Sequence, residues 1–290
     1  MNISKSKQTI FKAILVLLAI LISIVAVSSE SSSEDTLYCI GNDFKLPQQG
    51  MGIVVITHGW IEKGKDHWPQ QMAEAIHSNV DPNQWLCGYF DWEEGAKTLN
   101  ATNAAKYARD SASHKLAEQL LNLNTDLEHI HLIGHSSGCW LVSEAAKELT
   151  EKTKADIHLT FLDAYLPVFW DEDSLADVNT PANVDFWTDH YYTRDFTLKW
   201  THCDLTNAHN VDITDIDQWI QDHNFPWQWY YATIAGEYPP NSFCDDDEII
   251  TYTGDLQYGF TRSRESGGKT GWEKSLTLPK GNKAVELKKP

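Results

Sequence analysis

The sequence predicts an α/β fold, in which a mostly parallel central sheet carries helices on both faces. Two observations lead there. Short β-branched runs alternate with helical patterns from about residue 52 to 165, and such alternation requires crossover connections that cover a parallel sheet on both sides. A turn of small residues, Gly134-His-Ser-Ser-Gly138, then falls directly after one such run and directly before a helix, as a strand-to-helix junction at a sheet edge should.

The elements follow in order. Gly52-Ile-Val-Val-Ile-Thr57 is a continuous apolar run of the buried-strand kind. Trp68 to Val80 is helical and stops at Asp81-Pro82. Trp85 to Phe90 is the second strand. Ala104 to Leu123 reads as one amphipathic helix, with Ala108, Ala112, Leu116 and Leu120 on one face. His129 to Gly134 is the third strand and Trp140 to Glu148 the next helix. Ile157 to Leu162 is the fourth strand, and a further one is expected near Val184 to Thr193.

Composition bounds what this frame does. The formal charge of −18 argues against a nucleic acid or an anionic lipid as main partner, because a polyanion would be repelled. Lys5, Lys7 and Lys12 precede an uncharged apolar stretch, Ala13 to Val27, that ends in Ser28 and Ser29. That is the layout of a secretory signal over residues 1–28, with an uncleaved anchor as the lesser reading; both place the rest outside the cytoplasm. A single domain over 37–260 and a flexible basic tail over 262–290 complete the organisation. The ten acidic residues between Asp204 and Glu248 read as a solvated face rather than a calcium site. Five cysteines leave at least one thiol unpaired in an oxidising compartment. Cys139 is the candidate free thiol, with Cys39–Cys87 and Cys203–Cys244 as pairings to consider. No metal-ligand spacing stands out, and no metal or cofactor is expected.

The chemistry centres on Ser136. A serine on a sharp strand-to-helix turn is lifted clear of the sheet, and the next backbone N–H faces the oxyanion that forms on attack. The backbone amides of Ser137 and of Trp60, in Thr57-His-Gly-Trp60 after the first strand, are the expected oxyanion donors. A nucleophilic serine needs a base and an orienting acid. Asp163, at the carboxyl end of the fourth strand, is the favoured acid, with Asp195 as rival. His190 falls within a strand and reads as structural. Of His202, His209 and His223, the last is favoured as base because it precedes the aromatic run Phe225-Pro-Trp-Gln-Trp-Tyr230, whose docking would fix it; His209 stands second.

Phe90-Asp-Trp92, Asn103 with its long helix, and His131-Leu-Ile-Gly-His-Ser136 together resemble the pancreatic-type lipase family of α/β-hydrolases. Phe161-Leu-Asp-Ala164 is similar to the segment that carries that family's acid, so the resemblance supports Asp163 over Asp195. It departs at Ser137, where the family usually has Leu. The resemblance implies a secreted serine hydrolase acting on a lipid-like carboxylic ester through an acyl-enzyme, with transient contact with a membrane or lipid interface. Tyr165 to Asn183, apolar from Leu166 to Trp170, reads either as a cover that binds an acyl chain or as a packed excursion. The alternatives in function are a catalytically silent lipid- or partner-binding protein on the same fold, or an acyltransferase using the same residues.

Overall fold

The computed structural model describes residues 35–41, 51–123, 126–181, 184–194, 201, 203–214, 216, 223–239 and 258–260, with the backbone of 252–253, 256–257 and 275–277. The chain divides into Met1–Glu34 and Asp35–Pro290. The proposed signal of residues 1–28 lies outside the described residues, as do Asp195, His202 and Cys244.

Eight strands form the main sheet: β1 (Thr36–Cys39), β2 (Gly52–Thr57), β3 (Trp85–Asp91), β4 (His129–His135), β5 (Asp156–Leu162), β6 (Phe186–Tyr192), β7 (His209–Asp212) and, after a short hairpin of β8 (Tyr252–Thr253) and β9 (Leu256–Gln257), β10 (Ser275–Thr277). Their spatial order is β1-β3-β2-β4-β5-β6-β7-β10. Only β1 runs antiparallel to its neighbour, β3; the remaining neighbours pair in parallel. β10 lies within the stretch expected to be a tail, and the rest of 262–290 falls outside the described residues.

β2 is buried along its whole length because both sheet faces are covered. Ile53 and Val55 face a core shared with helices α2 (Ala101–Tyr107), α3 (Ser113–Leu121) and α4 (Gly138–Lys152). Val54 and Ile56 face a second core, with α1 (Trp68–Asn79) and α5 (Phe225–Ala235). A strand apolar on both faces reads as a continuous hydrophobic run, which is how Gly52–Thr57 reads.

β2 has β3 on one side and β4 on the other, so the direction of winding reverses there. In such sheets ligand sites form outside the carboxyl ends of the strands, by the two loops that leave at the reversal. The loops after β2 and β4, which carry Trp60 and Ser136, are those two.

Three expectations are corrected. The single helix over 104–123 is interrupted by a π-helical turn, Ala108–Ala112, between α2 and α3; buried Ala104, Ala105, Ala108 and Ala112 bring this segment against the core. Cys39 and Cys87 are free thiols. Cys39 pairs opposite Gly88, and since side chains alternate along a strand, Cys39 and Cys87 leave opposite faces of the sheet. His209 opens a strand, β7, that the polar sequence did not predict; it pairs opposite Asp189 in the middle of β6.

Candidate active site

The site is built at the carboxyl edge by residues that follow β2, β4 and β5. Ser136 follows β4 in the left-handed region, with φ 54°. A non-glycine residue there costs of order 1–3 kcal/mol and persists only when its surroundings hold it. Here the Ser136 N–H donates to the Leu162 carbonyl at 3.0 Å, and the Ser136 carbonyl accepts the N–H groups of Cys139 and Tyr165 at 3.1 and 3.3 Å. The turn is thus tied to the end of β5 in front and the start of α4 behind.

Two glycines allow the loops to close on one another. A Cβ on Gly138 would lie 2.3 Å from the His58 carbonyl oxygen, and a Cβ on Gly59 would lie 2.8 Å from the Ser136 Cβ. The backbone of His58–Trp60 therefore touches the serine turn directly.

That loop is braced by the Asp91-Trp92 pair. The His58 ring is buried and stacked on Trp92, with centroids 5.1 Å apart at 9°. Its Nε2 lies 3.1 Å from Asp91 Oδ1, and the Trp92 indole N–H donates to the His58 carbonyl at 3.1 Å. Burial raises the Asp91 carboxyl, but the hydrogen bonds from His58 and from the Gly64 and Lys65 backbone outweigh it and hold it at about 2.

Asp163 follows β5 with φ 50° and is fully buried. Its Oδ1 accepts the Thr193 N–H at 3.1 Å, and its Oδ2 lies 2.5 Å from Nδ1 of His223. His223 precedes α5, which is apolar nearly all round, carries Pro at its first turn and ends at Gly236 with φ 80°. Trp68 of α1 stacks on Trp227 of α5 at 4.9 Å and 15°. Docking of this helix fixes the loop that carries the imidazole. His190 is a buried strand residue, as expected; its Nε2 accepts the Ala164 N–H at 3.3 Å, steadying the chain just after Asp163.

Sequence reasoning did not single out Glu62 or His135. Nδ1 of the His135 ring lies 3.0 Å from Glu62 Oε2, and its Nε2 lies 3.0 Å from the His223 carbonyl oxygen. The same Glu62 oxygen accepts the Gly59 N–H at 2.6 Å. His135 occupies a position that a Gly-x-Ser-x-Gly pattern leaves open, so the motif gives no sign of it. Glu62 pairs with it only through the fold.

Beyond these groups, exposed apolar side chains stand on loops leaving the same edge: Ile61 after β2, Leu99 after β3, and Val168 and Phe169 after β5. The first two loops are joined by bonds from Ile61 N–H to the Ala96 carbonyl and from the Trp60 indole to the Thr98 carbonyl. The third is a turn closed by Trp170 N–H on the Pro167 carbonyl. Trp170 packs edge-on against Trp140 at 4.5 Å beneath Arg109, while Tyr165 and Leu166 are buried. The segment after Asp163 is therefore largely packed, with an exposed apolar tip. Cys139 is a buried thiol whose Sγ donates to the Gly134 carbonyl at 3.2 Å. Among the described residues no group of three or more His, Cys, Asp and Glu is placed to hold a metal ion.

The sequence comparisons agree with this frame. The Lipase family profile matches residues 43–186. Over 133 residues the chain is 34% identical to pancreatic lipase-related protein 2 of Sus scrofa, covering 44% of this chain and 25% of that protein. Over 188 residues it is 29% identical to hepatic triacylglycerol lipase of Bos taurus, covering 63% of this chain and 35% of that one. The inactive pancreatic lipase-related protein 1 of Mus musculus is also similar, at 29% over 92 residues, 31% of this chain and 19% of that one. A butyrate-bound esterase structure from Thermogutta terrifontis aligns with TM-score 0.36 and 15% identity, over 56% of this chain and 68% of that one. The chain thus spans about a quarter to a third of the length of the first two relatives.

Proposed function

We propose, from the premise that this chain is an α/β-hydrolase of the pancreatic lipase-like family, that it hydrolyses carboxylic esters with Ser136 as nucleophile, His223 as base and Asp163 as orienting acid. The observation that carries the proposal is the 2.5 Å contact between His223 Nδ1 and buried Asp163, beside a serine held at positive φ on a strand-to-helix turn. A carboxylate on Nδ1 leaves the Nε2 lone pair free, and that is the atom a base must present to a serine hydroxyl.

In this reading His223 takes the Oγ proton as Ser136 attacks the ester carbonyl. The backbone N–H groups of Trp60 and Ser137 receive the oxyanion; both belong to loops whose close approach depends on Gly59 and Gly138. His223 then gives its proton to the leaving alcohol, and water clears the acyl-enzyme by the same sequence. A labelled fluorophosphonate tests this reading directly. Stoichiometric labelling of Ser136 together with turnover of p-nitrophenyl butyrate is expected, whereas a folded protein that takes up no label is a silent binder on this fold.

The substrate we favour is lipid-like. Ile61, Leu99, Val168 and Phe169 give the site's edge an apolar surface, and placing one such side chain against hydrocarbon stabilises by about 1.5–3 kcal/mol. Phe169→Ser is therefore expected to weaken hydrolysis of an emulsified or long-chain ester by roughly tenfold or more, with little change on soluble p-nitrophenyl acetate. An equal loss on both substrates would count against an acyl or interface contact. The charged head and apolar stretch of residues 1–28 support an extracytoplasmic location.

A further inference from the structure

We infer that Glu62 and His135 act as a positioning strut for the proposed hydrolase, fixing the base loop and the oxyanion loop to the nucleophile turn as one unit. The inference rests on the functional reading above and extends it to two residues outside the triad.

The geometry is a chain of four groups. Glu62 Oε2 takes the Gly59 N–H at 2.6 Å and the His135 ring at 3.0 Å. The far nitrogen of that ring meets the His223 carbonyl at 3.0 Å. His135 directly precedes Ser136, Gly59 precedes Trp60, and His223 is the proposed base. One buried imidazole thus touches both loops that must be in register with the serine. The His135 and His223 rings lie 4.7 Å apart, and the edge of Trp68 closes the side toward α1 at 5.7 Å.

Both contacts are made in full only when His135 is doubly protonated. A carboxylate and a carbonyl oxygen are both acceptors, and a neutral imidazole has a single N–H to donate. The charged groups around the ring favour that state. Burial lowers the His135 pKa, but the Glu62 carboxylate, the bond to the His223 carbonyl and the Asp163 charge after β5 outweigh it, and the net direction is up. Burial likewise raises Glu62, and His135 and the Gly59 N–H outweigh it, leaving it at about 2. The strut is therefore present above the lowered Glu62 value and loosens as pH rises through the elevated His135 value. Above that point the Nε2 lone pair faces the His223 carbonyl, and the base loop loses its tie.

Glu62→Gln keeps the shape and removes the charge, so His135 loses the group that holds it protonated. The expected result is a fall in kcat of about 30-fold on a soluble ester, KM within twofold, and an alkaline limb of the kcat profile moved to lower pH. His135→Gln should lose a similar factor. Since the two act as one unit, the double variant should be no slower than the slower single, whereas independent contributions would multiply. Should Glu62→Gln not accumulate as folded protein, Glu62→Asp keeps the charge and shortens the arm, and about a fivefold loss in kcat is expected.

Histidine NMR in a Ser136→Ala background reads the strut without turnover. The His135 titration should lie above the ordinary imidazole range, and Glu62→Gln should lower it and shift the His223 ring signals. Wild-type kcat and pH profile in Glu62→Gln, with unmoved His223 signals, would overturn the strut. Absent Ser136-dependent turnover with an elevated His135 titration would instead overturn the hydrolase reading alone.

Discussion

Ser136→Ala is expected to lower kcat on p-nitrophenyl butyrate by on the order of 10⁵–10⁶-fold, the scale on which removing a serine nucleophile acts when the rest of the site remains. The residual rate should come from binding and the oxyanion donors alone. Folding should survive, because alanine tolerates φ 54° about as well as serine does. Ser136→Gly sharpens the test. It removes the same oxygen and also relieves the left-handed strain, so it should be equally inactive yet more stable by roughly 1 kcal/mol. Rates and thermal midpoints of the two variants side by side decide the matter: an active Ser136→Ala protein ends the proposal.

Asp163→Asn carries the second large effect. The carboxylate has a divided task, one oxygen taking the Thr193 N–H at 3.1 Å and the other facing His223 Nδ1 at 2.5 Å. An asparagine side chain has one acceptor and one donor end. If its oxygen stays with Thr193, its NH₂ meets Nδ1, forces the proton onto Nε2, and leaves a tautomer that cannot accept from serine. If it flips, two donors face each other at Thr193 inside a buried site. Either way kcat should fall by about 10⁴-fold. A loss below tenfold would return the acid's role to Asp195 or another carboxylate.

The sheet was legible in the sequence wherever its strands are buried on both sides. β2 announces itself as an apolar run because no face of it meets water, and β4 and β5 read as strands through their Ile, Leu and Phe, interleaved with buried His and Thr. β1 and β7 did not. β7 is four residues long and holds His209, Asn210 and Asp212, whose polar side chains are used inside the fold: Asn210 is buried and bonds to Leu205, Ala208 and His190. Pattern reading treats such residues as loop, since periodicity reports water contact rather than hydrogen-bond use. Ser136 and Asp163 could be proposed because their positions follow from strand ends. His223 could be argued only from the aromatic run after it. Glu62 and His135 were invisible, for their pairing joins residues 73 apart in the chain and leaves no local trace.

On the proposed reading, the stacked pair Trp68–Trp227 sets when the molecule becomes competent. Ser136, Trp60 and Asp163, the proposed nucleophile, oxyanion donor and acid, all lie within the first 165 residues, just after adjacent parallel strands. The imidazole arrives from outside that block, on a loop whose position depends on α5 seating against α1. A chain that has assembled the sheet but not yet docked this helix would already be native-like in its backbone and still be inert. Local openings of this kind cost less than global unfolding. During gentle urea titration, turnover should therefore vanish at a lower concentration than far-ultraviolet ellipticity, and the gap should widen in Trp227→Ala. Coincident loss of both signals would mean that helix and sheet come apart together, and that assembly and competence are a single event.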